Sequence, residues 1–205
     1  VRMEFVWDNW DHADWTNDSC TAYPALTCLA ATFNPELAFK YGNAIGQEAR
    51  YREKDVILGP GVNIYRTPLS GRNFEYMGED PYLSSRMVVP YVKGMQQNGV
   101  AACLKHLALN NQEKDRDKIN VEVSDRALYE IYLPAFKAGV QEGGVWTVMG
   151  SYNKFRGQYC SHNDLLNNQI LKKDWGFDGV MMTDWGSAHD TDEAARYGLD
   201  LEMGS

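Results

Sequence analysis

The sequence predicts an α/β fold, a (β/α)-barrel of the TIM type that is incomplete at both ends, and three observations carry that expectation. From Asp55 onward short apolar runs alternate with longer helical stretches, the rhythm of βα units around a mainly parallel sheet. Apolar residues in the longer stretches recur at three- and four-residue steps, so each offers one face to a sheet. Polar and charged residues directly follow the apolar runs, where a parallel barrel gathers its reactive groups.

Val56-Ile57-Leu58 reads as the first strand, turning at Gly59-Pro60-Gly61. Asp80-Pro81 then starts a helix running to about Asn98-Gly99, because proline at the first helical position gives up an N–H that has no partner anyway. Val100 to Leu107 is the next strand and a polar loop follows it. Ser124, with Asp125 and Arg126, opens a helix ending near Gly143-Gly144, whose Leu128, Ile131, Tyr132 and Ala135 form the inner stripe. Val145 to Met149 is a strand, Asn163 to Trp175 a helix, Val180 to Thr183 a strand, Asp190 to Tyr197 a helix and Leu199 to Met203 a last short strand. Five βα-like steps result. Residues 1–54 differ: an aromatic- and Asp-rich opening, no obvious strand before Cys28-Leu29-Ala30, then a helix from Pro35 to about Arg52 carrying Leu37, Tyr41, Ala44, Ile45 and Ala49. With no repeat, low-complexity tract or linker, residues 1–205 are expected to form one domain, part of a barrel that needs further sequence to close.

Composition narrows the function. At 44% hydrophobic, 23% charged and 12% aromatic the chain is a globular protein rather than a disordered one. A net charge of -8 argues against a nucleic-acid partner, which needs clustered Lys and Arg to displace counterions. No apolar run of about 18 residues exists to span a bilayer, so no membrane partner is expected. Val1-Arg2-Met3-Glu4 lacks the apolar core of a signal peptide, but a mature chain would look the same and export stays open. Cys20, Cys28, Cys103 and Cys160 include no CxxC pair, and His12, His106, His162 and His189 are not spaced like metal ligands. No metal and no organic cofactor is expected. Cys103, within an apolar run, reads as a buried free thiol, whereas Cys20 and Cys28 would pair only in an exported protein.

Just after the strands stand Asn63, Arg66 and Arg72, then Lys105 and His106, then Ser151, Tyr152 and Asn153, then Asp184 and Trp185, with Asp200 and Glu202 in the last. Lys105-His106 interrupts an apolar strand, and a buried ammonium there needs a carboxylate or a ligand. A structural ion pair and a binding role are both open. Asp184 puts a carboxylate at a strand tip beside the large face of Trp185, the pairing a sugar requires, since its C–H faces stack on rings while its hydroxyls take fixed hydrogen bonds. A helix N-cap is the plain alternative for Asp184.

These segments resemble glycoside hydrolase family 3, of the β-glucosidase and β-xylosidase type. The matching blocks, in order, are Leu58-Gly59-Pro60-Gly61-Val62-Asn63-Ile64, Gly71-Arg72-Asn73-Phe74-Glu75, Gly78-Glu79-Asp80-Pro81, Lys105-His106 with Asn110-Asn111-Gln112-Glu113, Met149-Gly150-Ser151-Tyr152-Asn153, and Met182-Thr183-Asp184-Trp185-Gly186. The resemblance implies an exo-acting retaining β-glycosidase that hydrolyses terminal non-reducing β-D-glucosyl or β-D-xylosyl residues, with Asp184 as nucleophile. It implies that Arg72, Lys105, His106 and Arg116 hold the hydroxyls of the terminal sugar, that Met149 and Tyr152 line the same subsite and that Trp185 walls it. For Met149, core packing is the alternative. The expected partner is thus a glycoside or oligosaccharide, and a polysaccharide-derived substrate favours a periplasmic or secreted protein. Two departures stand out. An Asp that clamps sugar hydroxyls in the family has no match here, and the family's general acid/base Glu belongs to a later C-terminal domain that the chain does not reach. Within the chain only Glu202 is a nominee, against a structural role. The branch acting on N-acetylglucosamine is disfavoured, because Lys105-His106 runs on into Leu107-Ala108-Leu109-Asn110 rather than into its PGHG-like loop. Two rival readings remain: a Schiff-base lyase using Lys105, and a sugar-binding relic without turnover.

Overall fold

A computed structural model describes residues 20–204; the aromatic- and Asp-rich opening and His12 lie outside the described residues. The chain enters through helices α1 (Leu26–Ala30) and α2 (Pro35–Tyr51), the second capped by the Asn34 side chain and started by Pro35. Cys28-Leu29-Ala30 is therefore helical. Three apolar residues are too few to reveal a period, and here only Leu29 and Ala30 turn inward.

Four parallel strands, β1 (Val56–Ile57), β2 (Ala101–Leu107), β4 (Thr147–Gly150) and β7 (Val180–Met182), form the main sheet in the order β1-β2-β4-β7. Helix α3 (Pro81–Gln96) joins β1 to β2, and α5 (Pro134–Gln141) precedes β4. The fold is α/β with a parallel sheet and flanking helices, barrel-like, and among the described residues the sheet does not close. A second small sheet, unforeseen in the polar loop after Leu107, joins β3 (Asn120–Val121) to the hairpin of β5 (Lys154–Phe155) and β6 (Gln158–Tyr159).

Three predicted elements differ in detail. The helix expected from Ser124 to Gly143-Gly144 begins as α4 (Asp125–Ala127) under the predicted Ser124 cap, but widens over Leu128–Tyr132 before α5. Pro134 has no N–H to give to the preceding turn, and Leu133 N instead reaches back five residues to Leu128 O at 3.0 Å. The helix expected over Asn163–Trp175 is also wide, of π type over Leu165–Asp174, and keeps its cap, since Asn163 Oδ1 accepts from Leu166 N at 3.1 Å. The last strand shrinks to one bridge between Leu201 and Met182. Here the Asp200 carboxylate takes the Met181 amide at 2.8 Å, so a side chain replaces part of the ladder. Helix α6 (Thr191–Arg196) forms as expected, with Asp190 as its cap.

Period-two alternation splits the apolar residues into two groups. Leu104, Val148 and Met181 face the helices, among Val88, Val92, Leu128, Phe136 and Ile170, in the main core. Fully burying each such side chain contributes roughly 1.5–3 kcal/mol. Cys103, Met149, Met182 and Met203 face the opposite way and make a small second core against Leu58, Leu201 and Trp185. Cys103 is thus a buried free thiol, while Cys20 and Cys28 are exposed and unpaired. Helices α2 and α3 touch backbone to backbone. A Cβ at Gly42 would collide with the carbonyl of Tyr91, and one at Gly94 with that of Phe39. No helix among the described residues is long and apolar enough to cross a membrane.

Candidate active site

Five of the polar residues foreseen beyond the strand ends, Arg72, Lys105, His106, Tyr152 and Asp184, converge. Asp184 lies two residues past β7, Tyr152 two past β4, Lys105 and His106 within the last turn of β2, and Arg72 on the long loop after β1. The pairing of β2 with β4 slips by one residue between Lys105 and Leu107. Such an irregularity re-aims side chains, and here both consecutive residues reach the same cluster instead of opposite faces. The Lys105–His106 and Leu107–Ala108 peptide bonds are cis. Asn63, buried on the loop after β1, accepts from His106 N at 2.8 Å and donates to His106 O at 2.9 Å, which pins the backbone on both sides.

Asp184 is 5% exposed, and its carboxylate meets His106 Nε2 at 3.3 Å through Oδ2 and the Trp185 amide at 2.8 Å through Oδ1. It caps no helix; Asp190 does that for α6. Arg72 places a guanidinium nitrogen 3.2 Å from His106 Nε2 and is ion-paired with Glu75. Lys105 Nζ stands 3.9 Å from the other oxygen of Glu75, so the ion pair that its burial called for exists. Glu113 bridges Arg72 at 4.0 Å to Arg116 at 2.6 Å, and the Arg116 guanidinium lies 4.1 Å from the centre of the Tyr152 ring. A continuous chain of contacts, through Glu75 and Glu113, therefore links Arg72, Lys105, His106, Arg116, Tyr152 and Asp184.

Burial alone would raise the Asp184 pKa, but the His106 contact, the Trp185 amide and the Arg72 charge outweigh it and hold the carboxylate below its usual range. His106 goes the other way. Burial first, then the charges of Lys105 and Arg72, overcome the pull of Asp184 and bring it down to about 4, so near neutral pH it is an uncharged donor. The Tyr152 hydroxyl is pushed up to about 12, by burial first and then by the negative charge of the Asp184 carboxylate. The arrangement keeps one carboxylate ionised in a largely dry setting, which suits attack on an electrophilic carbon or stabilisation of a cation.

Met149 lies beside this cluster. It pairs in register with Lys105 and Met182 and is buried in the second core, as the packing alternative requires. Trp185 is half-buried over that same floor. Arg66 is drawn off to the Tyr132 hydroxyl at 2.6 Å, Ser151 and Asn153 hold the Ala108 carbonyl, and Asp200 is ion-paired with Lys172 at 2.8 Å. Glu202 is exposed, alternating with the inward Met203. Glu75, Tyr76, Asn110 and Glu113 join the cluster without standing out in the sequence, although three of them lie inside the recognised blocks. A cavity of about 720 Å³ at the opposite end of the strands, lined by Trp146, Trp175 and Phe177, includes none of these groups. Among the described residues no three His, Cys, Asp or Glu side chains gather as metal ligands.

A parallel α/β sheet with a buried strand-tip carboxylate among basic and aromatic side chains fits the class of barrel-type glycoside hydrolases. Within that class the chain belongs to glycosyl hydrolase family 3: residues 13–200 match the model of the Glycosyl hydrolase family 3 N terminal domain. It is 71% identical over 205 residues to the β-glucosidase BoGH3A of Bacteroides ovatus, covering 100% of this chain and 27% of that protein. It is 46% identical over 183 residues to an exo-α-(1->6)-L-arabinopyranosidase of Bifidobacterium longum, covering 89% of this chain and 24% of that one. Among solved structures, β-glucosidase 3B of Thermotoga neapolitana in complex with glucose superposes with a TM-score of 0.88 at 47% identity, over 89% of this chain and 26% of its own. The chain spans about a quarter of the length of these relatives.

Proposed function

We propose that this domain supplies the nucleophile and the terminal-sugar subsite of an exo-acting retaining β-glycosidase. The substrate is a glycoside ending in a non-reducing β-D-glucosyl or β-D-xylosyl residue. The observation that carries this reading is the Asp184 carboxylate, nearly buried yet held ionised by His106 and Arg72. In the first step Asp184 attacks the anomeric carbon and the bond to the leaving oxygen breaks. A Glu outside these 205 residues gives that oxygen its proton. In the second step the same Glu takes a proton from water, which attacks the glycosyl ester and frees Asp184, so two inversions give retention. Arg72, Lys105 and Arg116 present donors to sugar hydroxyls, His106 keeps its one N–H for Asp184, and Tyr152 and Trp185 offer ring faces to the C–H surface of the sugar.

The Lys105–Glu75 ion pair favours a binding or structural lysine over a Schiff-base nucleophile. The arabinopyranosidase relative makes pentopyranosides a second substrate class to assay. In the full-length protein a slow-leaving 2-fluoro-glycoside is expected to label Asp184 and no other carboxylate. Labelling elsewhere refutes the assignment, and the absence of turnover across a panel of aryl glycosides favours a sugar-binding relic.

A further inference from the structure

Tyr76 is 2% exposed and lies against the face of His106 away from Asp184, its ring edge-on to the imidazole at 86° with centroids 5.9 Å apart. Its hydroxyl is 3.0 Å from His106 Nδ1 and 3.4 Å from Asn110 Nδ2. The Asn110 end of this chain favours one direction for each hydrogen bond. Asn110 Nδ2 also faces Glu113 Oε1 at 3.4 Å, and a carboxylate only accepts, so the Asn110 amide must turn its NH₂ this way. The Tyr76 oxygen then receives from Asn110, and its own hydrogen is free to point at Nδ1. An Nδ1 that accepts leaves the ring hydrogen of a neutral imidazole on Nε2, 3.3 Å from Asp184 Oδ2.

We propose that Tyr76 is a positioning residue that selects the Nε2–H tautomer of His106 and so keeps a donor aimed at Asp184. The alternative tautomer is available, because Arg72 stands 3.2 Å from Nε2 and would donate into it if that nitrogen lost its hydrogen. Asp184 would then face a lone pair. Tyr76 cannot supply the effect by ionising: burial first, then the Glu75 and Glu113 carboxylates, raise its pKa well beyond the ordinary tyrosine range despite Arg72 and Asn110. The charged and titratable groups around the His106–Asp184 pair are Cys103 and Lys105 on β2, Arg72, Glu75 and Tyr76 after β1, Glu113 and Arg116 after β2, and Tyr152 after β4. All remain in a Tyr76→Phe variant except the one hydroxyl.

The inference rests on Asp184 being the nucleophile, and its test separates the two. In full-length Tyr76→Phe, the acidic limb of the kcat/KM profile is expected to move up by roughly one pH unit and 2-fluoro-glycoside labelling of Asp184 to slow on the order of tenfold. KM for the sugar should change little, since Tyr76 touches His106 rather than substrate. Labelling of a carboxylate other than Asp184 overturns the site assignment. Labelling of Asp184 at the wild-type rate with an unmoved acidic limb overturns the role of Tyr76 alone. Independently of any variant's folding, ¹⁵N spectra of the wild-type enzyme should show the His106 hydrogen on Nε2 near pH 7, and a hydrogen on Nδ1 overturns the proposal outright.

Discussion

Among the described residues two buried histidines each face a carboxylate, and the shorter contact is not the one in the candidate site. His162 Nδ1 lies 2.8 Å from Glu193 Oε2, whereas His106 Nε2 lies 3.3 Å from Asp184 Oδ2. In both, the far ring nitrogen accepts: His162 Nε2 from the His189 amide at 3.3 Å, and His106 Nδ1 from the Tyr76 hydroxyl. The rings are equally hidden. The carboxylates are not, for the side chain of Glu193 is 39% exposed on α6 and that of Asp184 is 7% exposed. Water solvates the first carboxylate. The second depends on Arg72, His106 and one amide, with no bulk solvent to screen them. Distance alone therefore does not mark a reactive group; the surroundings of the carboxylate do.

The largest test of this contrast is removal of the charge from the buried carboxylate. Asp184→Asn in the full-length enzyme is expected to lower kcat on the order of 10⁴-fold against aryl glycosides, and retention of even a tenth of the activity would sink its assignment. His106→Gln, which removes one preorganised donor, should lower kcat roughly 10²–10³-fold while leaving the Asp184 side chain in place, as steady-state kinetics would report.

Stability should follow pH in a defined way. His106 binds its proton at about 4 when folded and at its ordinary value of 6.5 when unfolded, so between those values the unfolded chain holds more protons. Its contribution is intact above pH 6.5 and declines toward pH 4. Asp184, whose folded pKa is depressed, adds a loss in the same direction only as pH falls below 3.8. Thermal melts should thus fall between pH 7 and pH 4.5, and His106→Gln should flatten that slope. The smallest expected effect is at the other pair: Glu193→Gln should cost under about 1 kcal/mol by denaturant melts and leave kcat unchanged.

Much of the contrast was visible in the linear chain, for a definite reason. Lys105-His106 and Asp184 stand where apolar strands stop, and a charge at the end of a period-two run is conspicuous. Helix starts were equally plain, because Asp80, Ser124 and Asp190 each carry the oxygen that an N-cap needs. Tyr76 and Glu75 were not legible as partners. They follow β1 by about twenty residues on a loop without periodicity, and their meeting with His106 depends on how that loop folds back. The widened turn at Leu128–Tyr132 hid behind an apolar stripe that survives the change of pitch, since Leu128 and Tyr132 stay buried through it. The loss of the last strand had a similar cause: Asp200 reads as a rim carboxylate, and only the fold shows it spent on a backbone amide.

The bare-backbone contact between α2 and α3 reaches further than stability. Helix α3 starts at Pro81, directly after the loop that carries Arg72, Glu75 and Tyr76, so the spacing of the two helices sets where that loop is anchored. One methyl group at Gly42 or Gly94 would have to wedge the pair apart. The wedge would be transmitted along α3 to the guanidinium and phenol beside His106, which makes two glycines on the outer layer silent determinants of how well the centre is aligned.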